Sequence, residues 1–381
     1  MYFCLAAELS PFACPNDVRR PHRRGVRSFG CLSAAPNGQK NQATASKERP
    51  LTVRNHRRWG SFILALICAH FTLSYVGNHD STFSLIDYAD GKAAAPFRYR
   101  VLCAWAMRAL MRPPHWNSLA AHSGFFVGRP DKLAVAVIVF PCILASVWLT
   151  RRTVTLLAGE RTGLVAACLL LYMSYFSLCD NYVLAFLEPY DVPAMLAFCA
   201  CLYALVADRM WLFYAVFVVG TLNRETTVFL IPLLFLWRRR LSWHALPLLA
   251  IWGAEKAWLH HYVAAAGAEI FDLKIGYNLK EMIKPQMWPA LASPFGFLWA
   301  LFLWRFRVIR EQPIAVATAG LLALWVAGMV VVGQLNEVRI YTEMNALMAP
   351  CVAMILCTQE KPGKSEDGVS TATGGWICSD T

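Results

Sequence analysis

Ten runs of mostly apolar residues divide this chain, at roughly 59–77, 133–150, 162–179, 191–207, 210–222, 226–237, 243–262, 289–304, 313–333 and 344–357. A helix crosses bilayer hydrocarbon with about 20 such residues, so runs of this kind and number restrict the fold more than any other feature of the sequence. They predict an all-α protein, a polytopic transmembrane helical bundle of about ten spans. The runs at 210–222, 226–237 and 344–357 are short, and the first two read equally as one interrupted helix. Composition agrees: 57% hydrophobic residues, 16% charged residues and 14 tryptophans in 381 exceed what a soluble domain usually carries.

Outside the transmembrane domain, 59–357, the chain changes character. Residues 1–58 are rich in arginine, poor in acids and interrupted by Pro11, Pro15, Pro21, Pro36 and Pro50. They read as a disordered basic tail, with an organelle leader or an upstream start codon as the other readings. Residues 358–381 read as a second, polar tail. Arg151, Arg152, Arg161, Arg209, the run 238–240, Arg305, Arg307 and Arg310 fall in loops on the same side as the N-terminus. Short basic loops stay inside, which predicts that both termini are cytoplasmic.

Several chemistries find no signature. Of the 13 cysteines, Cys68, Cys142, Cys168, Cys199, Cys201 and Cys351 lie within apolar runs, where a thiol behaves as a small hydrophobe, and no Cys-x-x-Cys occurs. The histidines show no metal-ligand spacing. There is no P-loop, dinucleotide glycine fingerprint or Gly-x-Ser-x-Gly elbow. The net charge of +12 is accounted for by the basic tail and the inside loops, so no nucleic-acid partner is implied.

Polar residues that do not belong in lipid carry the rest. Asn223-Arg224-Glu225-Thr226 sits between uncharged runs at 211–222 and 227–237; such a charged pair must face protein or a wet cavity, as part of a polar site or as a buried structural ion pair. On the predicted external side it is joined by Asp80, Asp87 and Asp90, by Pro96-Phe97-Arg98-Tyr99-Arg100, by Glu188-Pro189-Tyr190-Asp191, by a basic aromatic loop at 271–288, and by Glu337, Arg339 and Glu343. Residues 99–112 predict an interfacial helix with Leu102, Ala106, Ala109 and Leu110 on one side and Arg108 and Arg112 on another. Arginine's planar fork suits phosphate oxygens, from a headgroup or a lipid-linked substrate. A carboxylate there serves as general base or holds a divalent cation; Asp87, in a partly apolar surround, and Asp80 are the candidates, against loop or capping roles.

This order of features resembles the glycosyltransferase-C superfamily over roughly residues 59–357: an acid in a long first external loop, an interfacial helix after it, and further loop carboxylates and arginines. Members with the clearest signatures carry paired acids where this chain has His79-Asp80 and an isolated Asp87. The resemblance implies a multi-pass enzyme of a bacterial inner membrane whose partners are a polyprenyl-linked sugar and membrane lipid. Asp87 or Asp80 would deprotonate an acceptor hydroxyl. Arg98, Arg100 or Arg339 would steady the carrier phosphate, Glu225 would orient Arg224, and Glu188, Asp191, Glu337 and Glu343 would line the same pocket. A transporter or flippase, or a non-catalytic member of an envelope assembly, fits the same pattern.

Overall fold

A computed structural model of the chain describes residues 51–94, 96–179, 186–238, 242–263 and 273–358, with side chains from residue 59. The helical bundle belongs to the compact unit that begins at His56. Among the described residues there are helices and turns and no strand. In chain order the helices are α1 (Leu51–Asn78), α2 (Leu85–Ala89), α3 (Val101–Met111), α4 (His115–His122), α5 (Pro130–Ala158), α6 (Glu160–Leu178), α7 (Asp191–Val206) and α8 (Met210–Asn223). They continue with α9 (Leu230–Arg238), α10 (Ala245–Val263), α11 (Ile275–Ile283), α12 (Trp288–Ala292), α13 (Leu298–Ile309), α14 (Pro313–Val332) and α15 (Asn345–Cys357).

Five helical stretches among these residues are long and apolar enough to cross a membrane: Trp59–Asn78, Pro130–Ala158, Glu160–Leu178, Pro313–Val332 and Val338–Cys357. A sixth exists if Pro285–Ala292 and Pro294–Ile309, which meet at 77°, form one broken span. That bend divides the run expected at 289–304. Phe295, Gly296 and Phe297 all take positive φ of 60–65°, and a Cβ on Gly296 would lie 2.6 Å from the Tyr172 ring. Only glycine fits this crossing.

The two short runs at 210–222 and 226–237 are separate helices. α8 stops at Asn223, Arg224 is fully extended (φ −158°, ψ 140°), and a 3₁₀ turn, Glu225–Phe229, leads into α9. Extended backbone sends neighbouring side chains opposite ways, so Arg224 and Glu225 face different partners.

Burial separates the spans into rim and centre. Only 33% of the first span's apolar window is buried, against 89% for Val338–Cys357. α15 packs against α6, α7, α13 and α14, and α7 against α5 and α8. A span enclosed by protein meets no lipid along most of its length, which is how Val338–Cys357 tolerates Arg339 and Glu343. α3 also packs inward, on α5 and α8. Its buried residues are Val101, Cys103, Ala104 and Met107, while Ala109 is exposed; the apolar side expected from Leu102, Ala106, Ala109 and Leu110 is not the one that packs. Arg108 turns back to the protein, its Nε donating to the Ala89 carbonyl at 2.7 Å.

Candidate functional site

One end of the bundle gathers the polar segments. The link 186–190 between α6 and α7 is pinned by Tyr75 of α1, whose hydroxyl donates to the Glu188 carbonyl and accepts from the Glu188 N–H, both at 2.9 Å. The Leu187 N–H bonds the Asp80 carbonyl at 3.1 Å, tying the first loop to this link. Asp191 opens α7, where the helix dipole favours a carboxylate.

Asp191 is the hub. Its Oδ1 takes Arg224 Nη1 at 2.8 Å and its Oδ2 takes Arg339 Nη1 at 3.4 Å. Arg224 Nη1 also reaches Glu343 Oε1 at 2.9 Å, and that oxygen accepts from the Thr226 hydroxyl at 3.0 Å. Arg339 continues outward to Glu337 at 3.0 Å and Glu188 at 3.7 Å, while Glu188 accepts from Thr82 at 2.6 Å. Beside this network Arg100 pairs with Glu225 at 2.9 Å and lies 4.1 Å above the Tyr190 ring; Lys256 of α10 approaches Glu225 at 3.9 Å. Asn223 holds the Tyr190 carbonyl at 2.9 Å and accepts from Cys103 Sγ at 3.1 Å.

Glu188, Asp191 and Glu343 are fully buried, and Arg100, Arg224 and Arg339 nearly so. Even so, Glu188 Oε2, Glu343 Oε2 and the Nε of all three arginines make no hydrogen bond with other protein atoms. Buried polar groups in folded proteins are mostly satisfied. Unspent donors and acceptors in a dense buried charge network make it the candidate functional site of the bundle.

No protein-family model, curated protein or solved structure matches this chain.

Of the residues expected to meet here, Arg100, Glu188, Asp191, Arg224, Glu225, Glu337, Arg339 and Glu343 do. Three do not join the buried network. Asp87 stands exposed in the first turn of α2, its N–H bonded to Ser84 Oγ at 3.2 Å, so the partly apolar surround expected for it is not formed. Arg98 donates Nε to the Ala93 carbonyl at 2.8 Å. Asp80 is 85% exposed and pairs with Lys132 at 3.0 Å. It lines a cleft of about 330 Å³ with Ser81, Phe83, Ser84, Arg129 and Asp131. Glu225 does not orient Arg224, because the extended backbone at Arg224 turns the two side chains apart. Among the described residues no three His, Cys, Asp or Glu side chains are placed to hold a metal ion, so the divalent cation has no ligand set there.

Tyr75, Thr82 and Lys256 complete the network without having been singled out, while Tyr190, Asn223 and Thr226 stood in the polar stretches but were given no role of their own. Lys256 carried the clearest signal, a charge within an apolar run.

Protonation follows from the partners. The hydrogen bond and charge of Lys132 hold Asp80 below the usual carboxylate range. Burial alone would raise Glu225, but the charges of Arg100 and Lys256 and the Arg100 hydrogen bond outweigh it and keep Glu225 well below that range. Glu188 goes the other way: burial raises it and Arg339 offsets only part. Its folded form therefore binds a proton more tightly than the unfolded chain, and stability falls as pH rises from about 4.5 through the raised value. Glu188→Gln is expected to flatten that decline. Unfolding temperature in detergent against pH measures it, and an unchanged slope would exonerate Glu188.

Proposed function

We propose that the protein is an integral membrane glycosyltransferase of the glycosyltransferase-C kind, taking sugar from a polyprenyl-phosphate-type carrier at the outer face of a bacterial inner membrane. The supporting observation is the meeting of four chain segments at one end of the bundle, with three arginines and five carboxylates whose buried polar atoms are not all satisfied. The helices α7 to α10 complete about ten passes, α3 lies in the interface, and both termini are cytoplasmic. Arg100, Arg224 and Arg339 are held in place before any substrate arrives, and fixed positive charge stabilises a leaving phosphate more than mobile charge does.

In this reading the Asp80 cleft admits the acceptor. Asp80 is ionised at neutral pH and takes the proton of the acceptor hydroxyl, whose oxygen bonds to the anomeric carbon with inversion. The bond from that carbon to the carrier phosphate breaks, its electron pair going to the phosphate oxygen beside the arginines. Asp80 is preferred over Asp87 because its backbone joins the link that carries Glu188. Asp80→Asn should lower sugar transfer from a labelled polyprenyl carrier by about 10²-fold or more, while Asp87→Asn retains most activity. Full transfer in the Asp80 variant removes the proposed base.

A transporter or flippase is the second reading, favoured by the α8–α9 break at Arg224, since discontinuous helices form many transport sites. Reconstituted vesicles separate the two: movement of a carrier-linked sugar without covalent change supports transport.

A further inference from the structure

Where α14 ends, α11 is turned inside out relative to a soluble helix. Its two buried side chains are polar, Asn278 and Glu281. Asn278 Nδ2 donates to the carbonyls of Met329 (3.2 Å), Val330 (2.9 Å) and Gly333 (2.9 Å), its Oδ1 accepts from the Leu335 N–H (3.0 Å), and the Lys274 N–H bonds the Val331 carbonyl (2.9 Å). These carbonyls lie at the last turn of a candidate membrane span, where intrahelical donors run out; Met329 keeps the Gly333 N–H at 3.0 Å. The bonds fix α11 at the level where that span leaves the hydrocarbon.

The outward faces are of two kinds. With about 100° between successive residues, Ile275, Leu279, Met282 and Ile283 share one arc, and Lys280, Lys284 and Tyr277 share the next. All seven are exposed, as is Trp288 just beyond. Glu281 pairs with Lys284 at 2.6 Å, so Lys280 adds an unbalanced positive charge to this arc. An apolar arc beside a basic aromatic one is the pattern of a helix lying in a bilayer interface, hydrocarbon toward acyl chains and ammonium groups toward phosphates.

We infer that α11 with Trp288 is a docking surface for anionic phospholipid headgroups of the leaflet at the site end, a role independent of the transferase reading. Leu279 and Ile283 sit among acyl chains, and Lys280 and Lys284 contact lipid phosphates.

The test uses the full chain in nanodiscs of phosphatidylcholine alone or with phosphatidylglycerol, following hydrogen exchange over 273–290. Exchange should slow several-fold with phosphatidylglycerol, and high salt should erase the difference. Retention of phosphatidylglycerol, counted by native mass spectrometry, should weaken roughly fivefold for each lysine lost in Lys280→Gln and Lys284→Gln. Equal exchange in both discs, or undiminished retention in the double variant, overturns the proposal. Inorganic phosphate that slowed exchange in neutral discs as well as the lipid does would overturn it too. The disc comparison needs no variant, so a misfolded mutant leaves it intact.

Discussion

Asp191→Ala is expected to destabilise the protein by about 3–5 kcal/mol, because it leaves Arg224 and Arg339 buried without the carboxylate they share. Taking two guanidinium groups out of water is compensated in this network mainly by Asp191, which alone contacts both. Glu343 and Glu337 each serve one of them. Arg224→Ala should cost a comparable amount, since Asp191 and Glu343 then face each other without a cation between them. The double variant should cost less than the two singles together, by more than about 1 kcal/mol, as directly paired residues do. Unfolding temperature in detergent, followed by tryptophan fluorescence and checked by size-exclusion profile, measures all three. Additive losses would mean that the two side chains do not act as a pair.

The network's energetics and its chemistry pull in different directions. Charges held this tightly preorganise a pocket, yet each guanidinium already has a carboxylate partner. A phosphate arriving at Arg339 must therefore compete with Glu188 and Glu337 rather than fill an empty position. Glu188, at 3.7 Å the loosest contact of Arg339 and the acid whose proton affinity burial raises, is the partner most readily displaced. Protonation of Glu188 would free part of Arg339 for an anion without dismantling the Asp191 hub.

How far the sequence revealed this depended on whether the signal was local. Apolar runs end where charge or proline begins, so the helices at 191–206, 210–223 and 313–332 fall within a few residues of expectation, while α1 holds the expected run but begins at Leu51, inside the tail expected to be disordered. The break at Phe295-Gly296-Phe297 had a local signal in Ser293, Pro294 and Gly296, but the apolar run continues through it, and the Tyr172 ring that the crossing meets lies far away in sequence. The same holds for the site. Arg224 and Glu225 were conspicuous as charges between uncharged runs, but their partners, Asp191 and Glu343 for one and Arg100 for the other, depend on backbone direction at a single extended residue. Asp87 drew attention through its apolar neighbours in sequence, and Leu85, Tyr88 and Ala89 are indeed buried while Asp87 points away from them. Periodicity on a five-residue helix is too short to foresee that. For α3 the apolar content was legible and the facing was not, since nearly every position between Val101 and Met111 is apolar and only packing against α5 and α8 selects a side.

Gly163→Leu should cost about 3 kcal/mol or more, the upper range for overpacking. α5 and α6 are joined by Gly159 alone, at φ 89°, so the two helices leave the turn in close contact and run side by side. Gly163 lies one turn into α6, where a Cβ would fall 2.6 Å from the Arg151 carbonyl and 3.1 Å from the Thr155 nitrogen. Both obstacles are α5 backbone, which cannot rotate away as a side chain would. A leucine there must push α6 off α5, and because α6 also packs against α15 the shift passes to the span that carries Arg339 and Glu343. Gly163→Ala should show the same effect at smaller size, and Gly253→Ala, at a helical glycine with open space around it, should be neutral or slightly stabilising. Loss of the folded, monodisperse species in detergent for the leucine variant, with the Gly253 variant unaffected, is the expected pattern. Equal melting temperatures for all three proteins would mean that the α5–α6 contact is looser than its geometry implies.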